Sequence, residues 1–402
     1  ANLKSDGTTI SSFDYDYDRV GNRKAVVEAD GSRVTWTYDA TYQLTGEHRT
    51  GSTPYRDTYT YDASGNRLLK IHDGARTTSA YDAANQLIYS EDASGRTTYT
   101  FDADGNQEVV EQPSGDRTTY AWDYENRMTS VRLPSGVRNT MDYDPDGLRV
   151  KLEESTGTKK FVWDEQNYLA ERDENNDTQV VYTNEPRLYG NLVSQRRGSE
   201  SRWYHFDAIG STRELTDAAE VVTATRLYDA WGVPLASSGS TVFPFAFVGQ
   251  LGYYDDAESL LRYVRARLVA ASTGRWTSSD PLKAIRTYTY ADNQPTVLID
   301  PSGLVCVDDN PEACCCCVEG MSLRDVIEIT RQDREQGLDY FRHRFIVHTS
   351  LSWVIDPSIP PRGGDCTFEW YECASSVPPS PSRLGSQACG MVRRVRHRSR
   401  EV

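Results

Sequence analysis

The chain has 402 residues and a formal net charge of −15, with 59 acidic against 44 basic side chains. This exceeds one ordinary domain, and the acid excess argues against non-specific nucleic-acid binding by the bulk of the chain. No run approaches the roughly 18 apolar residues of a membrane span. The N-terminus, Ala1-Asn2-Leu3, has no Met and no signal-peptide pattern and enters a repeat almost at once. The expectation is therefore the C-terminal part of a longer, exported or cell-surface protein whose export signal lies outside this stretch.

In chain order, the first feature is an aromatic–aspartate pair: Tyr17-Asp18, Tyr38-Asp39, Tyr61-Asp62, Tyr81-Asp82, Phe101-Asp102, Trp122-Asp123, Tyr143-Asp144 and Trp163-Asp164. A near-constant spacing of this kind means one supersecondary unit copied along the chain. Within one unit, Asp57-Thr58-Tyr59-Thr60-Tyr61-Asp62 alternates aromatic and polar, which predicts a half-buried strand. Ala63-Ser64-Gly65-Asn66-Arg67 reads as a turn, Leu68-Leu69-Lys70-Ile71 as the returning strand, and Asp73-Gly74 as the next turn. Each unit is thus a β-hairpin, and consecutive hairpins should stack into one antiparallel sheet. The aromatic ring should pack on neighbouring units, and the Asp should accept backbone N–H groups of its turn. Calcium ligation would instead need the clustered Asp-x-Asp cage of a hard cation, whereas each unit carries one regular Asp.

On these residues the chain resembles the RHS/YD-repeat proteins, a bacterial family related to the teneurins and to the C components of insecticidal toxin complexes. The resemblance implies an all-β fold: a YD-repeat hairpin array, residues 1–200, spiralling into a hollow shell. A core of the RHS repeat-associated type, residues 201–304, would plug that shell. The core resemblance rests on Gly210-Ser211-Thr212-Arg213, on Tyr228-Asp229-Ala230-Trp231-Gly232 and on Phe247-Val248-Gly249-Gln250. It continues through Arg265-Ala266-Arg267, Thr273-Gly274-Arg275-Trp276 and Asp300-Pro301-Ser302-Gly303-Leu304.

Many members of the family cut themselves just after the leucine of that last motif, with aspartic-protease-like chemistry. Such chemistry needs two carboxylates in one site, one protonated and one ionised. The resemblance implies Asp280 and Asp300 as that pair, Arg275 as a charge partner, and a cut between Leu304 and Val305. This chain departs from the pattern at Lys283, where the family has Gly, and over Arg267-Leu268-Val269-Ala270-Ala271. If the function is lost, both Asp-Pro pairs simply begin turns. His205, beside Trp203, Tyr204 and Phe206 on a strand, reads as a structural side chain rather than a catalytic one.

Beyond Leu304 the composition changes. All eight cysteines fall here, at Cys306, Cys314, Cys315, Cys316, Cys317, Cys366, Cys373 and Cys389, and Arg replaces Lys. Residues 305–402 should form a small β-rich domain with a short helix over 322–336, strands over 341–353 and 367–371, and a frayed basic end at Arg393-Arg394-Val395-Arg396-His397-Arg398. The segment is similar to a Cys-rich C-terminal domain found in RHS proteins of planctomycete-type bacteria. Disulfides, metal binding, and reduced or acylated thiols all remain open for the cysteines; four consecutive Cys fit one tetrahedral zinc badly. His343, His348, Glu369 and Glu372 would be the residues of a metal-dependent nuclease, but His343 and His348 point to opposite faces of one strand. No metal site and no cofactor are expected.

The leading reading is a shell that encapsulates, displays or delivers its own C-terminal polypeptide as cargo, with autoproteolysis after Leu304 as its one enzymatic activity. Its further partners would be a secretion apparatus or a cell-surface glycan. The rivals are an uncleaved surface adhesion protein that binds carbohydrate, and a polymorphic toxin whose enzyme lies in 305–402.

Overall fold

A computed structural model describes residues 1–282, 287–304 and 306. Beyond these it describes only the strands Val307–Asp308, Ile346–Val347, Trp353–Ile355, Phe368–Glu372 and Arg394–His397. Two compact units divide the chain, Ala1–Asp309 and Asn310–Val402.

In the first unit twenty-two strands, from Phe13–Tyr17 to Pro234–Gly239, lie in chain order, each antiparallel to the next. The hairpin array predicted from the repeat is therefore the fold. The sheet runs on through residue 201, where the sequence suggested that the core begins, and ends only at Gly239. Its order is that of a closed barrel, with the last strand next to the first. This seam lacks the long ladders found between the other neighbours and is bridged by side chains. Ser5 N and Oγ donate to the Glu220 carboxylate at 3.0 Å, Arg213 reaches Glu28 at 2.9 Å, and Ala230 N donates to Glu47 at 2.9 Å.

The Tyr-Asp turns explain the repeat. In the turn after Tyr61, Asp62 N donates to Asn66 O at 2.9 Å, closing the turn from Asp62 to Asn66. One oxygen of Asp62 accepts the N–H groups of Ser64 and Asn66, both at 2.8 Å, and the other accepts the Asn66 side chain at 2.9 Å. The same bonds recur at Asp18, Asp39 and Asp102. The residue three after the Asp adopts a left-handed backbone, φ 83° at Gly65 and 62° at Asn85, which is why Gly or Asn usually stands there. The aspartates are thus turn caps.

The aromatic partner ties one hairpin to the one before. Tyr38 OH donates to Arg23 O at 2.6 Å, Tyr61 OH to Leu44 O at 2.6 Å, and Tyr143 OH to Met128 O at 2.8 Å. Trp122 Nε1 and Trp163 Nε1 make the equivalent bonds to Gln107 O and Arg149 O, at 2.8 and 3.0 Å. An amphipathic ring with a polar tip suits this position, because its body packs while its tip satisfies a carbonyl. Phe101, which lacks a donor, instead sets its ring edge-on to Tyr288, with centroids 5.6 Å apart.

Residues 240–282 and 287–304 pack against buried side chains of the sheet. Phe243, Phe245, Tyr254, Leu261 and Tyr263 meet Met128, Val131, Leu152, Phe161 and Tyr182 in one apolar cluster. Phe247, Tyr253, Val264, Trp276 and Tyr290 meet Leu44, Tyr59 and Trp231 in a second.

The second unit contains a four-stranded antiparallel sheet in the order Ile346–Val347, Trp353–Ile355, Phe368–Glu372, Arg394–His397. The basic end, expected as a frayed tail, is instead its last strand. The alternation Arg394-Val395-Arg396-His397 has the period of two that a strand requires. The helix expected over 322–336 lies outside the described residues.

Two substitutions test the turn. Replacing Asp62 with Ala removes three accepted bonds and should cost about 2 kcal/mol, while Tyr61→Phe removes one bond and should cost about 1 kcal/mol. Denaturant midpoints read both, and an Asp62→Ala chain as stable as its parent would remove the turn from this account.

Candidate active site

The segment 240–304 is held mainly by arginines, and each one answers the backbone or an acid. Arg149, on the sheet strand Arg149–Glu154, makes a bidentate pair with Asp256 at 2.7 and 2.8 Å, with both side chains fully buried. Its guanidinium lies 4.3 Å from the Tyr263 ring centroid, and the Arg149 backbone N–H donates to Tyr263 OH at 2.9 Å. Arg265 donates to Gln166 O, Leu251 O and Pro301 O. The turns of the sheet contribute as well: Tyr288 OH donates to Gly105 O at 2.7 Å, and Asn293 donates to Gly65 O at 2.7 Å and to Gln43 at 2.8 Å. The segment thus seats on the rim formed by the Tyr-Asp turns.

Asp280 and Asp300, 20 residues apart in sequence, are brought to one guanidinium. Arg267 Nη2 lies 2.9 Å from Asp280 Oδ2 and 3.5 Å from Asp300 Oδ2. All three side chains are buried. Arg267 also donates from Nε to Gly303 O and from Nη1 to Thr287 O at 3.2 Å, and it stacks 4.2 Å from the Trp276 ring centroid. One cation therefore binds both acids and the chain beside the expected cut.

The loop carrying that cut is equally constrained. Asp300 N donates to Tyr253 OH at 2.9 Å, and Tyr253 OH donates to Asp300 O at 2.8 Å. Asp300 Oδ1 accepts Leu304 N at 3.0 Å and Ser302 Oγ at 3.2 Å. Gly303 has φ 77°, and a Cβ there would stand 2.2 Å from Val264 O, so the close approach requires glycine. Past the loop, Val307–Asp308 pairs back onto Leu298–Ile299. The expected cut therefore falls within a short hairpin.

Burial is the main force on Asp280 and pushes its carboxyl above the usual carboxylate range; the Asp300 charge adds to this, and Arg267 opposes it. Asp280 is thus biased toward the protonated state that an acid–base pair requires of one member.

The other sequence candidates lie elsewhere. Arg275, expected as the charge partner, is instead a rim anchor. It donates to Asn66 Oδ1 at 3.2 Å and to Asn85 O, and lies 4.8 Å from the Tyr81 ring centroid. Its strand, Arg275–Trp276, directs the side chain to the turns rather than to the acids. The cation at the acids is Arg267, which nothing in the sequence singles out among the neighbouring arginines. His205 Nε2 pairs with Thr216 Oγ1 at 2.9 Å in the sheet, in keeping with a structural side chain. Cys306 is half-buried. Lys283, Val305, the other seven cysteines, and the side chains of His343, His348, Glu369 and Glu372 lie outside the described residues. Among the described residues no group of His, Cys, Asp and Glu is arranged to hold a metal ion, and no helix is long and apolar enough to cross a membrane.

Removing the shared cation leaves two buried carboxylates facing each other, so Arg267→Met should cost about 3–5 kcal/mol. Adding Asp280→Asn should recover part of that loss. A double-mutant cycle by denaturation checks the coupling, and additive single effects would mean that the two side chains do not interact.

Residues 1–189 match the family model described as Teneurin YD-shell. The chain is 28% identical over 270 residues to the tRNA3(Ser)-specific nuclease WapA of Bacillus spizizenii, an overlap of 61% of this chain and 11% of that protein. It is 33% identical over 106 residues to the toxin protein Tse5 of Pseudomonas aeruginosa, covering 26% of this chain and 8% of that protein. The chain thus spans about a tenth of the length of these relatives. A crystal structure of TcdB2-TccC3 is similar over 72% of this chain and 20% of that one, at 16% identity and a TM-score of 0.40. Repeat, sheet and family model thus agree over residues 1–189, which are similar to the Teneurin YD-shell family.

Proposed function

We propose that this chain is the closing part of a YD-repeat shell that carries its C-terminal polypeptide as cargo, acts outside the cell that makes it, and frees the cargo by cutting itself between Leu304 and Val305. The observation that carries the reading is the convergence of Asp280 and Asp300 on Arg267 in a buried loop that also holds Leu304 N. The toxin relatives support delivery as the purpose.

In the proposed reaction a water adds to the Leu304 carbonyl carbon. One ionised carboxylate, assigned to Asp300, takes a proton from that water. Asp280, held protonated by burial, donates to the carbonyl oxygen. Collapse of the tetrahedral intermediate breaks the C–N bond, and the departing amine of Val305 takes up a proton. The products are a Leu304 carboxylate and a new amino terminus, so one water is consumed and atoms balance. Arg267 would keep the two acids in one site and, through Gly303 O, fix the loop.

Intact mass under denaturing conditions tests this directly. The parent chain should yield residues 1–304 and 305–402, whereas Asp280→Asn and Asp300→Asn should each remain whole. A folded parent chain that stays whole would sink the proposal. The cut should also slow as pH rises through the elevated Asp280 value, because the proton donor is then lost; a rate that rises without limit toward alkaline pH would contradict the assigned role.

A second reading is favoured by the nuclease and toxin names of the relatives: residues 305–402 are themselves a toxic enzyme. Growth arrest on expressing the released fragment, absent when it stays attached to the uncut shell, would support it. Unaffected growth with soluble fragment present would count against it.

A further inference from the structure

A different group of buried acids spans the seam where the sheet closes on itself. Glu47 on Leu44–Thr50 and Asp57 on Tyr55–Tyr61 are direct cross-strand partners, so two carboxylates face each other on one side of the sheet. Like charges in that relation are unfavourable. The row continues to Trp36 on one side and His72 on the other, through the pairings Trp36↔Glu47 and Asp57↔His72. A third carboxylate, Asp229, is set down by the last turn of the sheet, Asp229-Ala230-Trp231-Gly232. All three acids are buried.

The bonds show which acids lack a cation. Lys70 Nζ lies 3.2 Å from Asp57 Oδ2 and 3.5 Å from Asp229 Oδ2. Asp57 also takes His72 Nδ1 at 2.6 Å and Tyr59 OH at 3.0 Å. Glu47 has only neutral donors among its bonds, Trp36 Nε1 at 3.1 Å and Ala230 N at 2.9 Å, with Tyr55 beside it. Arg67 is directed elsewhere, lying 4.9 Å from the Trp231 ring centroid and 5.5 Å from that of Tyr59. Three buried acids thus face one lysine, with His72 half-exposed at the edge of the row. Full ionisation would leave an excess of buried negative charge that the low-dielectric interior penalises.

We propose that this cluster is a proton-operated latch of the seam: a proton kept on Glu47 lets its carboxyl stay buried beside Asp229 with the last turn packed against the first repeats, and its loss, by setting a second negative charge next to Asp229, loosens that turn. Burial first, and the Asp229 charge second, push the Glu47 carboxyl up to about 8. Burial also raises Asp229, with Lys70 opposing. The sign follows from linkage. A carboxyl whose value is raised in the closed state favours closure fully below its ordinary value near 4.5, and that contribution is lost as pH rises toward about 8. The seam therefore holds in acid and slackens in mild alkali, independently of any self-cleavage.

Hydrogen exchange of the full 402-residue chain, corrected for the intrinsic pH dependence of exchange, tests the latch. Protection of the turn residues 229–233 is compared with that of the sheet strand Arg149–Glu154, whose anchor is an arginine–aspartate pair. The ratio should fall about tenfold or more between pH 6 and pH 9 in the parent chain. It should stay flat in Glu47→Gln, which cannot ionise. Because imidazoles as a class change charge near neutrality, His72→Gln is the control and should keep the fall. A constant ratio in the parent chain overturns the proposal, as does a fall that disappears in His72→Gln. Should Glu47→Gln fail to fold, the parent chain and His72→Gln still decide between these outcomes.

Discussion

The structure depends on one local bargain, in which the aspartate of each Tyr-Asp pair caps its own turn. A carboxylate that accepts two backbone N–H groups and a side chain fixes a tight loop without help from the rest of the protein. Because the loop is the same each time, the strands leave it at the same angle and offset, and the hairpins can only stack in order. The aromatic ring then joins each hairpin to the previous one through a carbonyl. A periodic sequence becomes a continuous sheet in which each unit is stabilised chiefly by its neighbours.

The same turns make the rim on which residues 240–304 sit. Turn carbonyls and the Asn side chains beside them point outward from the end of the sheet, and the plug answers with donors: Tyr288 at Gly105, Asn293 at Gly65, Arg275 at Asn66 and Asn85. Buried guanidinium groups are costly unless every face finds an acceptor or a ring. Arg149, Arg265 and Arg275 meet that condition with carbonyls, aromatic faces or a single acid. Arg267 differs in holding two acids at once. That difference distinguishes the Asp280–Asp300 site from the structural arginines around it.

Two acidic groups in this chain thus follow opposite designs. At Asp280 and Asp300 a shared arginine offsets the repulsion and keeps both acids close to a constrained loop. At Glu47, Asp57 and Asp229 a single lysine cannot neutralise three carboxylates, and a proton supplies the remainder. The first arrangement suits bond cleavage and the second suits a joint.

Much of this was legible beforehand. The hairpin array followed from the spacing of the Tyr-Asp pairs and from the Gly and Asn positions, because turn chemistry is local and a strand's alternation is written in its own residues. Asp280 and Asp300 could be named as a pair from the resemblance alone. Their cation could not. Arg275 and Arg267 lie eight positions apart on neighbouring short strands, and only the packing of those strands decides which one faces the acids and which one faces the rim. The sheet's continuation to Gly239 is hard to see in the sequence because no aromatic–aspartate pair stands between Trp163-Asp164 and Phe206-Asp207, although the later turns at Asp207 and Asp229 keep the aspartate cap. The sequence by itself determined the turns, the strands and their order. The tertiary structure alone decided which charges meet across the seam and the plug, because such meetings join residues far apart in the chain, such as Lys70 with Asp229 and Arg149 with Asp256, and depend on how a long sheet closes.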